Sequence, residues 1–101
     1  RPLYSDRGRP FASRVRSVAV PYPQRIAGRD ATWAFERTDR RFTLRYRPRG
    51  GAETVVALPR AAFPDGPRIR VSGARARRDG GMVHLRARDG VPTVRLTVTD
   101  R

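Results

Sequence analysis

Residues Pro21–Leu58 read PYPQRIAGRDATWAFERTDRRFTLRYRPRGGAETVVAL, and this stretch decides the fold class. Two short runs inside it alternate apolar with polar residues, the apolar ones being Trp33 and Phe35, then Phe42, Leu44 and Tyr46. Because successive side chains of a strand point to opposite faces, this spacing places all of them on one side of a sheet. The loop Arg37–Arg40 between the runs has an ordinary length for a β-hairpin.

Further short β patterns, separated by turn residues, fill the rest of the chain. We predict strands at Glu53–Leu58, Arg68–Ser72, Met82–Arg88 and Thr93–Thr99, with Ala74–Arg77 continuing Arg68–Ser72 after a bend at Gly73. Tight-turn signals stand at Asp79-Gly80-Gly81 and Asp89-Gly90. Phe63 follows the proline that ends the first of these strands, and we expect it to close one end of the core.

Short strands with turn signals every 8–12 residues or so are typical of an antiparallel β-sandwich. The sequence therefore predicts an all-β protein with a single antiparallel sandwich of about six to eight short strands, of the immunoglobulin-like or carbohydrate-binding-module-like kind. We assign residues 21–101 to this domain and residues 1–20 to a linker or the end of a preceding domain. The chain begins with Arg1 rather than Met, which fits a fragment, a processed product or an excised domain.

The charge of the chain is strongly positive, with 23 basic and 9 acidic residues and a net charge of +14. Such a balance raises the question of nucleic-acid binding. Every basic residue is arginine, however, and arginines alternate with apolar residues, as at Arg68 and Arg70 or Arg86 and Arg88. This pattern favours solvated strand faces in a protein from a high-GC bacterium, because arginine codons are GC-rich. No localised basic stripe is visible along the sequence, and we regard nucleic acid as an unlikely partner.

Candidate catalytic and metal-binding groups are few. There is no cysteine, and His84 is the single histidine. It lies on the polar phase of its predicted strand with no partner suggested nearby, so we expect an exposed or edge histidine. Glu36 and Glu53 are the only glutamates, and most aspartates occupy turn positions. We therefore predict no catalytic carboxylate pair, no metal site and no cofactor in this chain.

Aromatic residues offer candidate contacts for a partner or a sugar. Trp33 is the single tryptophan, and its alternation with Phe35 predicts a place in the core, although an exposed tryptophan would be a platform for a pyranose ring. Tyr22 stands between two prolines, which hold its ring at little entropic cost, and we expect it at the seam with a preceding domain. With His84, these residues are the candidate interface or ligand contacts.

A progression of motifs runs through the chain: Pro21-Tyr22-Pro23-Gln24, Ile26-Ala27-Gly28, Trp33 with Phe35, Arg41-Phe42-Thr43-Leu44 with Tyr46, and Thr54 through Pro59. It resembles the C-terminal β-sandwich domain of endoglycoceramidase-type enzymes of glycoside hydrolase family 5. Weaker similarity continues through Phe63-Pro64-Asp65-Gly66, Arg68–Gly73, Leu85–Arg88 and Val94–Val98. One departure is Val20, where the family usually has arginine.

The resemblance implies that the hydrolytic carboxylates belong to an N-terminal (β/α)8 barrel, which is the expected partner in cis or in trans. A barrel needs roughly 250 residues, so it lies outside this sequence. The implied function is a non-catalytic accessory domain of an enzyme that hydrolyses glycosphingolipid-type bonds, and we expect a secreted or cell-surface location. A glycolipid or anionic membrane surface as a partner is a hypothesis that rests on the net charge alone. Alternatives are a free-standing module that binds carbohydrate or an anionic surface, and a basic nucleic-acid-binding domain.

Overall fold

The structure is a computed structural model that describes residues 20–101. The predicted segment at residues 1–20 lies outside the described residues except for Val20. Eight strands follow one another along the chain: β1 (Tyr22–Arg25), β2 (Gly28–Glu36), β3 (Arg41–Pro48), β4 (Glu53–Ala57), β5 (Pro67–Ser72), β6 (Ala74–Asp79), β7 (Met82–Ala87) and β8 (Val94–Asp100). A short 3-10 helix, Arg60–Ala62, lies between β4 and β5.

The strands form two antiparallel sheets of four strands each, which confirms the predicted all-β sandwich. Sheet 1 has the order β1-β4-β7-β6, and sheet 2 has the order β2-β3-β8-β5. The predicted hairpin is β2–β3, in which Trp33 pairs with Leu44 and Phe35 pairs with Phe42. One expectation is wrong: Ala74–Arg77 does not continue β5, because the chain changes sheets at Gly73 and β6 pairs with β7.

The core lies between the sheets and is built from the alternating apolar residues of the central strands. Phe42, Leu44 and Tyr46 of β3 are buried against Val94, Leu96 and Val98 of β8, and Val56, Val83 and Leu85 cover them from sheet 1. Phe63 is buried as expected and meets Phe35 edge to face, with ring centroids 5.9 Å apart. Alternation along the strands therefore places the apolar side chains between the sheets.

A buried hydroxyl ties the link between β1 and β2 to the core. Thr54 is fully buried, and its Oγ1 accepts a hydrogen bond of 2.9 Å from the backbone N–H of Ala27. Thr54 also hydrogen-bonds to Tyr46; burial raises the pKa of the Tyr46 phenol, and this hydrogen bond opposes the rise. A polar group at this depth is tolerated because it is hydrogen-bonded.

Candidate functional site

Tyr22 lies at the first position of β1, on the edge of sheet 1. Its side chain is 46% exposed, and its hydroxyl accepts a hydrogen bond of 3.3 Å from the amide of Gln24. Tyr22 pairs in register with Ala57, and Ala57 pairs with Met82. A half-buried apolar strip therefore crosses the outer face of sheet 1, starting at the point where the described chain begins.

Trp33 departs from the predicted core position. The residue is 50% exposed, although its register partner Leu44 is buried. Trp33 lies on β2, an edge strand whose single neighbour in sheet 2 is β3. Phe35, two residues further along β2, is half-buried and packs edge to face against Phe63. The alternation of apolar residues predicted the correct side of the sheet for Trp33, but it did not predict how deeply the side chain is buried.

His84 also departs from its prediction, because it is neither exposed nor on an edge strand. It lies on β7, an interior strand of sheet 1, and its side chain is 17% exposed. Its Nδ1 is 3.0 Å from Glu53 Oε1, and its Nε2 is 3.8 Å from Asp79 Oδ2. A carboxylate only accepts hydrogen bonds, so Nδ1 carries the proton that is donated to Glu53.

Two arginines complete this cluster, which we call the His84 cluster (Glu53, Arg77, Asp79, His84 and Arg86). Arg77 and Arg86 approach Glu53 Oε2 at 3.7 and 3.8 Å. The hydrogen bond from His84 is the main reason that the pKa of Glu53 lies below its ordinary value of 4.5; partial burial opposes this shift, and the charges of His84, Arg77 and Arg86 support it. The arrangement holds Glu53 ionised, as expected for a structural ion-pair network.

We expect the Glu53 interactions to make folding stability pH-dependent. A carboxyl whose pKa is lowered in the folded state contributes stability above its unfolded-state value and loses it as pH falls through the folded-state value. Glu53→Gln should therefore be less stable than the wild type at pH 7, and the difference should shrink as pH falls below 4.5. Denaturant unfolding of both proteins across this pH range measures the effect.

His84→Gln is the control for the cause of this pH dependence. Because the His84 hydrogen bond is the largest contribution to the lowered pKa of Glu53, the pH-dependent cost of Glu53→Gln should be smaller in a His84→Gln background. An equal cost in both backgrounds would show that His84 does not hold the Glu53 carboxylate.

The outer face of sheet 2 has a different chemistry. Its register rows run Arg41–Thr99–Arg68, Thr43–Thr97–Arg70 and Arg45–Arg95–Ser72 across β3, β8 and β5. We call the arginines and threonines of these rows the arginine–threonine face, namely Arg41, Arg45, Arg68, Arg70, Arg95, Thr43, Thr97 and Thr99. The arginines are all exposed, whereas Thr97 and Thr99 are half-buried between them.

Among residues 20–101, the arginines of this face have no acidic partner of the kind that Glu53 provides in the His84 cluster. Within residues 20–101, no carboxylate lies within 4.0 Å of a guanidinium of Arg41, Arg45, Arg68, Arg70 or Arg95. Glu36 stands opposite Arg41 in register, but its Oε1 accepts a 3.0 Å hydrogen bond from the backbone N–H of Thr38. Within the described part of the chain, these five arginines are therefore exposed without a carboxylate partner.

Neither arrangement resembles a hydrolytic centre or a metal centre. Glu53 and Asp79 lie on opposite sides of the His84 ring, which occupies the space that a sugar and a water would need between two glycosidase carboxylates. In the part of the chain that the structure describes, no three His, Cys, Asp or Glu side chains are grouped to hold a metal ion. The same residues contain no helix long and apolar enough to cross a membrane.

The sequence did not predict the His84 cluster or the arginine–threonine face, because strand order decides which residues come together in each of them. Glu53 and His84 are 31 positions apart and meet only because β4 pairs with β7. Likewise, the arginines of β3, β5 and β8 share one face only because β8 lies between β3 and β5. The one available signal was the Arg/Thr alternation shared by Arg41–Arg45 and Arg95–Thr99.

Comparison with known proteins identifies the family. The profile of the glycoside hydrolase family 5 C-terminal domain matches residues 21–99. No curated protein sequence matches the chain. Solved structures of endo-glycoceramidase II from Rhodococcus sp. are similar, among them a lactosyl-enzyme intermediate (31% identity, TM-score 0.60) and a ganglioside GM3 complex (30% identity, TM-score 0.57).

These structural matches cover 80% of this chain but only 19% and 18% of the two Rhodococcus chains. The chain thus spans about a fifth of the length of the enzymes that it resembles. The similarity extends over both sheets, because the matched segment runs from just before β1 almost to the end of β8. The motifs, the two-sheet fold and the match over residues 21–99 together show that the chain belongs to the glycoside hydrolase family 5 C-terminal domain family.

Proposed function

We propose that this chain is the non-catalytic accessory β-sandwich of an endoglycoceramidase-like glycoside hydrolase. The observation that carries the proposal is the match of residues 21–99 to the C-terminal domain of the family, at about a fifth of the length of the similar enzymes. The hydrolytic carboxylates then belong to an N-terminal (β/α)8 barrel, which acts on glycosphingolipid-type bonds with two carboxylates. Such an enzyme would work outside the cell or at its surface.

The outer face of sheet 1 is the surface that we assign to contact with the barrel. Tyr22 is exposed at the start of β1, where the chain arrives from its N-terminal side. The neighbouring residues Val55, Ala57 and Met82 are buried or half-buried on the same face. A tyrosine beside an apolar strip suits an interdomain contact, because its ring is apolar and its hydroxyl tolerates water.

Release of oligosaccharide from a neutral glycosphingolipid tests whether the catalytic activity belongs to the barrel and not to this domain. The native gene product, purified from its source cells, should release the oligosaccharide, and the 101-residue chain alone should not. As a control, Glu53→Gln in the 101-residue chain should leave this absence of activity unchanged. Hydrolysis by the chain itself, abolished by Glu53→Gln, would overturn the non-catalytic assignment.

A second candidate function is carbohydrate binding, which the exposed ring of Trp33 favours. Because Trp33 is the single tryptophan, its fluorescence reports on this position alone. Emission typical of a solvated indole that shifts on addition of oligosaccharide would support binding at Trp33. If the emission is that of a solvated indole but does not respond to lactose or longer glycans, Trp33 does not bind sugar, and the accessory role is unaffected.

A further inference from the structure

We infer that the arginine–threonine face of sheet 2 is a docking surface for an anionic lipid bilayer. This inference rests on the proposed function, since an enzyme that cleaves glycolipids meets its substrate at a membrane. The observation behind it is the difference in ion pairing between the His84 cluster and the arginine–threonine face. On sheet 1 Arg77 and Arg86 pair with Glu53, and on sheet 2 Arg47 pairs with Asp30. The five arginines of the arginine–threonine face, by contrast, have no carboxylate partner among residues 20–101.

The geometry of the face suits lipid phosphates. Neighbouring strands are roughly 4.8 Å apart, and alternate residues along a strand are roughly 7 Å apart, so the guanidinium groups form a two-dimensional array. One depression of about 410 Å³ is lined by Arg41, Arg68 and Arg70, with Thr97 and Thr99. Arginine donates paired hydrogen bonds to phosphate, and threonine hydroxyls add donors between the charges.

A second depression lies beside the first and extends the same chemistry towards β2. It is lined by Thr43, Thr97, Arg45 and Arg95 together with Thr32, Trp33, Ala34, Leu44 and Leu96. Thr97 belongs to both depressions, so the two form one continuous surface across sheet 2. A bilayer presents many phosphates in a plane and engages such a surface at several points at once.

Nucleic acid fits the face less well than a bilayer does. Proteins that bind single strands combine a basic groove along the backbone with aromatic side chains on which bases stack. The outward residues of the rows described here are arginine, threonine and serine. Trp33 borders the second depression, but it pairs in register with the core residue Leu44 and so belongs to the inward phase of its strand. The charge therefore spreads over an area instead of following a line.

Vesicle co-sedimentation of the 101-residue chain tests the docking surface. At about 0.1 M salt, the chain should bind vesicles of phosphatidylcholine with about 30 mol% phosphatidylglycerol and should not bind phosphatidylcholine alone. The triple variant Arg41→Gln/Arg68→Gln/Arg70→Gln should bind the anionic vesicles about 100-fold more weakly, at roughly fivefold per arginine. Circular dichroism and thermal unfolding verify that the variant is folded.

A control variant removes the same charge from the other side of the sandwich. Arg25→Gln/Arg75→Gln/Arg88→Gln also lowers the net charge from +14 to +11 (14 − 3), and all three residues are exposed. These positions belong to sheet 1 or the loop after it, so they lie farther from a bilayer on sheet 2 than the Debye length of about 10 Å. We expect binding within about threefold of the wild type.

Three results would overturn the inference. Equal losses in the two triple variants would show that net charge alone attracts the chain to the vesicles. Absence of binding to the anionic vesicles would remove the surface altogether, and tighter binding to a single-stranded oligonucleotide at the same salt would favour nucleic acid. None of these results bears on whether a barrel precedes the domain, because vesicle binding by the chain does not require the barrel.

Discussion

Replacing Phe42 with alanine should destabilise the domain by about 3 to 5 kcal/mol, the range for deleting a buried phenylalanine ring. Phe42 is completely buried on β3, between Phe35 of β2 and Val98 of β8. Domains of this size are stable by only about 5–15 kcal/mol, so the variant should unfold at a much lower denaturant concentration. Urea unfolding followed by circular dichroism measures the difference.

Trp33→Ala is the matched control for this large effect. Both aromatic residues alternate correctly in the β2–β3 hairpin, but half of the Trp33 side chain already lies in water. Its removal should cost about 1 to 2 kcal/mol, because less apolar surface returns to solvent. Equal losses in the free energy of unfolding for Phe42→Ala and Trp33→Ala would show that Trp33 is buried in the core, which would contradict its observed exposure.

Replacing Gly73 with alanine should have an effect of similar size for a different reason. Gly73 is the residue at which the chain passes from β5 in sheet 2 to β6 in sheet 1. Its φ is +84°, and a Cβ placed there would lie 2.7 Å from the backbone oxygen of Thr93. The backbone conformation costs an L-residue about 1–2 kcal/mol, and the clash with a backbone atom adds about 1–3 kcal/mol.

Gly80→Ala separates these two contributions. Gly80 has φ +59° in the β6–β7 turn, but a Cβ there would have no neighbour within 4 Å. The substitution should therefore cost only the conformational part, about 1–2 kcal/mol, and the excess for Gly73→Ala measures the close approach to Thr93. If both glycines tolerate alanine equally well, the sheet-to-sheet connection is looser than the structure shows.

Strand positions were largely predictable because periodicity and turn residues report local conformation directly. The hairpin loop Arg37–Arg40 separates β2 from β3 as expected, and the observed β4, β7 and β8 begin or end within one residue of the predicted strands. Gly73 was recognised as a bend. That the bend moves the chain to the other sheet depends on how the strands pair across the whole domain, which no local pattern encodes.

The same limit applies to the candidate contact residues, because local sequence patterns do not encode which strands lie beside them. Tyr22 is exposed at an edge of sheet 1, and its expected place at the seam with a preceding domain stays a prediction. His84 appeared to have no partner because Glu53 approaches it from a strand that is distant in sequence. Trp33 was placed on the correct side of the sheet, yet it is exposed on a strand that strand order places at the edge of sheet 2.

Under the proposed function, the two outer faces would let one small sandwich serve an enzyme without carrying its catalytic groups. Sheet 1 presents Tyr22 and an apolar strip beside a neutralised charge cluster, which suits contact with another protein domain. Sheet 2 presents arginines without carboxylate partners in the described region, which suits contact with anionic lipid. On this account the domain links a catalytic barrel to the surface that holds its substrate.

The intact mass and N-terminal sequence of the native gene product, measured in its source cells, test the accessory-domain assignment most directly. The account predicts a product in which about 250 or more residues precede this domain, enough for a (β/α)8 barrel. A product of 11.4 kDa that consists of this chain alone and co-purifies with no barrel protein would contradict it. The chain would then be a free-standing binding module instead of part of a glycoside hydrolase.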